Sequence, residues 1–573
     1  MKAVRLRNMF KVQRPGFLVL ILISLVQFSC GSRQPASDPA ANTALSLIPN
    51  DTPYVLASLS RSPRAYVDLQ MRSLEEKGPR VLEVLRSLSE IGADDSAPAE
   101  VFQLLSPLLK ELDGRMTEKG LLELGIRADP LFFLYGTSWA PIFRIELADG
   151  AKLKGAIKRV LKGAKIKYPT QQYRGIEYWR FGAKKDDNFE AAFAIVGNFA
   201  VGAAYPRKAR TEVLANMFGL KKPNRSLADT GRLSALVRRH QLMPWAVLSI
   251  RPAKLGQALF GPRKGALRGF LGSGMSQTCR LESSRAIGHV PDMVAGMTSY
   301  DDNTLKGMFG FILRKQTARD LEKVRGSVPG TGTKSVVNAD ASLAIALKPK
   351  ELLEFTISKL KEIGKKKYVC KGTKEINDLV ENAQKLPLLM MFGPGASIAK
   401  LTGFSWVIDK FGPTDDMLKN AKGNIFGGTQ GDIAPLLKLV ADTFDTPNIK
   451  GLKPNDPPVL LGGFLMSAFG KTFFSVTSEN SIALSFGGQR KKRTQKIVSE
   501  TTSRPPLFFG HMGKRLIRKI DELDRPLVGK ASTANKAKRS LSELNSSPLT
   551  YFSLSADLRN DTLVFDFVGR YPK

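Results

Sequence analysis

Short alternating runs of apolar and polar residues in this chain lead into a basic or Ser/Pro turn and then into an apolar stripe at helical spacing. The pattern predicts a strand, a turn and an amphipathic helix. It occurs four times: PYVLASLSRSPRAYVDL from Pro53, PWAVLSIRPAKLGQAL from Pro244, SLAIALKPKELLEFTISKL from Ser342 and PPLFFGHMGKRLIRKI from Pro505. Pro63, Pro252 and Pro349 fall in the expected first helical turn, where the missing N–H has no helical partner to lose. In the fourth copy Gly513 stands near this place.

Hairpin patterns recur in step with these copies. FEAAFAIVGNFAVGAAYP from Phe189 turns at Gly197-Asn198, and KTFFSVTSENSIALSFGG from Lys471 turns at Ser478-Glu479-Asn480. A second pair begins at Asp292 and at Thr550, with turns at Asp301-Asp302-Asn303 and Arg559-Asn560-Asp561, where short polar side chains favour turn conformations. The order strand-helix, hairpin, strand-helix, hairpin thus appears over 45–314 and again over 336–573, with 315–335 expected as a linker because Arg325 to Ser335 (RGSVPGTGTKS) is rich in Gly, Ser, Thr and Pro. The expected fold class is α+β: two tandem related units, each with antiparallel strands and hairpins packed against amphipathic helices.

Within the first half, 80–125 reads as helix-rich, Ile142 to Leu147 as a strand, and Tyr173 to Phe181 as one aromatic strand whose Tyr178 and Trp179 belong to the core. Between them AKLKGAIKRVLKGAK predicts a helix, with Leu153, Ile157, Val160 and Ala164 on one face. Lys152, Lys154, Lys158, Arg159, Lys162 and Lys165 cover much of the rest, without an acid. Such a stripe is either a packed helix with solvated lysines or a surface that contacts anions.

The N-terminus changes the setting. Lys2, Arg5, Arg7, Lys11 and Arg14 precede the apolar run from Phe17 to Phe28, the plan of a secretory signal over 1–29. The run is shorter than the roughly 20 residues that span a hydrocarbon layer. Phe28-Ser29-Cys30-Gly31 resembles the lipobox of bacterial lipoproteins, which implies diacylation of Cys30 and a new N-terminus there; Gln27 departs from the aliphatic residue usual three places earlier. By the same resemblance Gly31, in place of Asp, favours the outer membrane, facing the periplasm, over the inner; a soluble periplasmic protein is the alternative. Residues 30–44, small, polar and Pro-containing, read as a flexible tether.

Lys and Arg total 87 against 52 Asp and Glu, a formal +35, and removing the five signal cations leaves +30. A body so charged attracts anionic partners. In an envelope these are lipopolysaccharide, anionic phospholipid or cell-wall polymer, and export argues against nucleic acid. Basic runs such as Lys365-Lys366-Lys367 and Arg490 to Arg493 read equally well as solvated loops. Besides Cys30, the only cysteines are Cys279 and Cys370, candidates for one disulfide in an oxidising compartment.

One further resemblance concerns Ile48-Pro49-Asn50-Asp51-Thr52-Pro53-Tyr54, Pro141 to Asp149 and Ser226 to Leu236. They resemble the "LPADTPYVF" type of uncharacterised bacterial envelope proteins, a domain-of-unknown-function group. The resemblance covers mainly the first half. It implies an extracytoplasmic protein and carries no functional residues across.

Known catalytic patterns are not met. Gly470-Lys471-Thr472 has Leu465 where a phosphate-binding loop needs glycine, and a strand is expected after it. Ser397-Ile398-Ala399-Lys400 matches Ser-x-x-Lys without the companion elements of penicillin-interacting enzymes. His240, His289 and His511 are isolated from one another, so no metal or cofactor is expected; Cys279 with His289 is too loose a pair to read as a nucleophile and base. The leading expectation is a non-enzymatic, lipid-anchored binding or scaffolding protein. A periplasmic carrier of apolar ligands and an envelope hydrolase with an unrecognised carboxylate site are the alternatives.

Overall fold

A computed structural model describes residues 38–91, 99–165, 170–181, 189–261, 274–301, 303–331, 336–391, 399–412, 420–431, 433–461, 470–488, 491–502, 504–517 and 551–571. Two compact units divide between residues 302 and 303. Both are mixed α and β.

The strands of the first unit are β1 (Tyr54–Ala57), β2 (Phe132–Thr137), β3 (Ala140–Glu146), β4 (Thr170–Tyr173), β5 (Ile176–Phe181), β6 (Phe189–Val196), β7 (Phe199–Pro206), β8 (Val247–Ile250) and β9 (Asp292–Asp301). They pair antiparallel in the order β4-β5-β6-β7-β3-β2-β1-β8-β9. The earliest strand is internal: Val55 of β1 faces Tyr135 on one side and Ser249 on the other. Helices α1 (Arg64–Ile91), α2 (Ala99–Leu112), α3 (Gly150–Gly163), α4 (Arg210–Met217), α5 (Arg232–His240), α6 (Pro252–Phe260) and α7 (Gln277–Gly288) complete the unit. β2 and β3 are apolar on both faces, with Phe132, Phe143 and Ile145 buried on one and Phe133, Tyr135 and Ile142 on the other. Buried Arg144 donates to the Met217 carbonyl (2.6 Å) at the end of α4, so a cation meets the negative pole of that helix.

The second unit contains β10 (Thr304–Ile312), β11 (Ala341–Ile345), β12 (Leu401–Lys410), β13 (Lys422–Thr429), β14 (Val459–Leu461), β15 (Thr472–Ser478), β16 (Ser481–Phe486), β17 (Phe508–Gly513), β18 (Tyr551–Arg559) and β19 (Thr562–Arg570). They pair antiparallel in the order β14-β15-β16-β13-β12-β11-β17-β18-β19-β10. Its helices are α8 (Lys315–Lys323), α9 (Pro349–Gly364), α10 (Glu375–Met391), α11 (Ala434–Thr443) and α12 (Lys491–Ser499). Strand alternation sends Phe474, Val476 and Ile482 against Leu437 and Ala441 of α11. Val407, Phe426 and Ala483 pack instead with Ile497 of α12, so helices cover both faces of these strands.

Local chemistry accounts for several boundaries. Pro252 and Pro349 open α6 and α9 at the first helical position. Asn560 and Asp561, with φ of +47° and +61°, make the two-residue turn between β18 and β19, a left-handed pair that suits the twist of a hairpin.

Three expectations differ from the structure. The tether expected over 30–44 is not flexible throughout: Pro39–Leu45 is a helix with Ala41 and Ala44 buried, because Asp38 caps Ala40 N–H (2.9 Å) and Pro39 starts the turn. The first unit, expected to reach 314, ends at 302, since β10 runs beside β19 for its whole length, and 315–335 is not simply a linker. Its first part is α8; beyond this, Val328 and Thr331 are fully buried, and Arg325 donates to Glu322 and Asp557. Finally, Tyr173 to Phe181 is not one strand. Arg174 and Gly175, both left-handed (φ +49° and +82°), fold it into the β4–β5 hairpin.

Candidate anion-contact surface

Helix α3 begins where Asp149 accepts from the N–H groups of Ala151 (2.8 Å) and Lys152 (3.1 Å), placing a carboxylate at the positive pole. One face carries buried Ala156 with half-buried Leu153, Ile157 and Val160, and α3 packs against α2. Gly163 comes so near Pro107 that a Cβ there would lie 3.0 Å from the proline Cβ. With apolar residues held inward, the 3.6-residue period turns Lys152, Lys158, Arg159 and Lys162 outward; these four are exposed, as is Lys165, which lies past the helix end with left-handed backbone (φ +54°).

Neighbouring acids engage part of this set. Half-buried Lys154 donates to Glu177 of β5, and Arg159 donates through Nε to both carboxylate oxygens of Glu111 on α2 (3.1 Å each). The hydrogen bond from Arg159 holds Glu111 below the usual carboxylate range, and the one from Lys154 does the same for Glu177. α3 itself contributes no acid. What remains is a set of exposed lysines, 152, 158 and 162 on the helix and 165 just past its end.

Two of the segments singled out in the sequence, Ile48 to Tyr54 and Ser226 to Leu236, come together around one turn. Pro49 bridges Ser226, Asn50 N–H donates to Arg225 O, and Leu227 N–H donates to Ile48 O. Thr230 donates to Asn50 Oδ1 (2.8 Å) and Arg232 to Asn50 O (2.8 Å). Thr52 Oγ1 accepts from Gly136 N–H (3.1 Å) and lies 2.8 Å from the carbonyls of Tyr54 and Gly136. These residues therefore lock the entry to β1 onto β2 and α5.

Cys30 and Ser397 lie outside the described residues. Cys279 sits in the first turn of α7, its N–H donating to Ser276 Oγ (3.2 Å), and Cys370 is buried ahead of α10; both are disulfide-bonded. Thr472 opens a strand, as expected. Among the described residues no group of three or more His, Cys, Asp or Glu is placed to hold a metal ion, and no helix is long and apolar enough to cross a membrane.

Two buried polar arrangements had no signal in the sequence. Glu190, fully buried on β6, accepts from Arg207 (3.1 Å) and Arg210. Asn424 of β13 joins Ser485 and Thr494 beneath α12. Their partners lie up to 70 positions away, and only the sheet brings them together. Family models, curated proteins and solved structures all lack a match to this chain.

Proposed function

We propose that this is an exported, lipid-anchored envelope protein of binding or scaffolding role, whose basic surface on α3 contacts anionic envelope polymer or lipid. The observation that carries the reading is the exposed set of Lys152, Lys158 and Lys162 on a helix without acids, with exposed Lys165 just past its end. The +30 charge left after the signal cations supports it, since a field of that sign draws anions toward any exposed cluster. Anchoring through Cys30 belongs to the same reading and rests on the sequence; pairing of Cys279 with Cys370 belongs to it as well and is supported by both cysteines being disulfide-bonded.

The reading includes descent of the two units from one duplicated α+β unit. Its support is a shared order of connections. From β5 the first unit runs β5-β6-β7-β3-β2-β1-β8-β9, and from β14 the second runs β14-β15-β16-β13-β12-β11-β17-β18. In each, the first strand is internal, the second and third lie beside it, and a later hairpin joins the third. A late strand takes the first strand's other edge.

The test is sedimentation of the mature protein with cardiolipin vesicles, lipopolysaccharide or cell-wall fragments. Binding is expected near 0.01 M salt, where charges interact over about 30 Å, and is lost near 1 M, where they reach about 3 Å. Exchanging Lys152, Lys158, Lys162 and Lys165 for Gln should abolish most of it. No binding at low salt ends the electrostatic reading, and unchanged binding by the variant removes α3 from it.

A further inference from the structure

In the second unit β14 pairs with β15 only from Leu461 opposite Thr472 to Val459 opposite Phe474. Before Val459 the chain turns away as the Asn455–Pro458 loop, and a pocket of about 170 Å³ opens between that loop, the rest of β15 and α12. In the first unit the matching place is closed: β5 continues along β6, and Trp179 packs on Phe193 while Tyr178 packs on Phe218. A volume below the roughly 300–1,000 Å³ of drug-sized sites limits an occupant to a small molecule.

The pocket wall holds a buried polar group with an unused donor. Asn424 Nδ2 donates to Ser485 Oγ and to Thr494 Oγ1, both at 2.7 Å, and the three residues are almost wholly buried. The Ser485–Thr494 contact at 3.3 Å uses one of the two hydroxyl protons. The other finds no acceptor among the described residues, and a buried donor left so is costly. Both residues line the pocket. Lys491, one helical turn before Thr494 on the same face of α12, stands exposed at the pocket and makes no ion pair among the described residues. The nearby Asp456 carboxylate accepts from the N–H of Lys453 in its own loop (2.7 Å). Phe473 and Val498 give apolar walls.

We propose that this pocket binds a small organic acid, its carboxylate held between the Lys491 ammonium and the Ser485/Thr494 hydroxyls, its hydrocarbon body lying on Phe473 and Val498. Asn424 is the positioning residue, because its amide fixes which way the two hydroxyls point. The site lies in the other unit from α3 and stands or falls separately from the polyanion reading.

Ligand-observed saturation-transfer NMR on the mature chain tests this, with hexanoate, hexanol and hexylammonium as probes. Hexanoate should show the strongest transfer and hexylammonium the weakest. Lys491→Met, at an exposed position, should weaken hexanoate about two- to fivefold and leave hexanol unchanged, the size of effect a partly solvated ion pair has. Ser475→Phe should fill the pocket and remove transfer to all three while the melting temperature is kept. The proposal is overturned if no probe shows transfer, if hexanol matches hexanoate, if K491M leaves hexanoate unaffected, or if S475F does so.

Discussion

Ser342 and His511 lie opposite each other on β11 and β17, both buried, and among the described residues neither the serine Oγ nor either imidazole nitrogen has a hydrogen-bond partner. Despite their adjacency they do not form the hydrogen bond that a base and its nucleophile require. Burial pushes His511 down to about 4, with Asp340 opposing and Arg570 assisting, while the Tyr551 ring packs against it at 4.9 Å. The unfolded chain therefore binds a proton between about pH 6.5 and 4 that the folded chain refuses. Stability is full above pH 6.5 and falls with pH through that window, by up to about 3 kcal/mol. His511→Phe should flatten this slope in urea midpoints compared at pH 7.5 and 4.5. An unaltered slope would place the titration elsewhere.

Glu190 offers a second test. Removing the partner of a buried ion pair costs about 3–5 kcal/mol when the remaining charge is trapped, but Arg207 and Arg210 are about a third exposed and can turn to water. Glu190→Gln is therefore expected to cost about 1–3 kcal/mol by urea unfolding, and a variant as stable as the parent would contradict the buried clasp.

Gly307 of β10 faces Phe567 of β19, and a Cβ there would lie 2.2 Å from the ring's Cζ. Gly307→Ala should destabilise the second unit by about 1–3 kcal/mol through overpacking. Gly288→Ala at the end of α7, where a Cβ meets nothing within 4 Å, should change little. Equal effects of the two substitutions would mean that β10 does not occupy this place.

Cys30→Ser should shift the protein from the membrane to the soluble fraction, and intact mass of the native form should show acyl chains on a chain beginning at Cys30. A native N-terminus downstream of that sulfur would end the anchoring proposal.

Where the sequence was legible, the information was local. Pro252 and Pro349 mark helix starts because a fixed φ and an absent N–H suit only that position, and Asn560-Asp561 marks a turn because both tolerate left-handed backbone. Asp38-Pro39 carried an equally local signal that a reading of the segment as tether passed over. Arg174-Gly175 is harder, since arginine seldom adopts positive φ and only the pairing of β4 with β5 requires it.

By itself the sequence marked many of the elements, their amphipathic faces and several hairpin turns, because periodicity and fixed φ angles act over a few residues. Only the tertiary structure decided that β10 lies beside β19, that Glu190 meets two arginines, and that Asn424, Ser485 and Thr494 share the wall of a pocket. Those relationships join residues far apart in the chain. They depend on which strand edges find each other, and that choice follows from the packing of both sheet faces at once rather than from any local pattern.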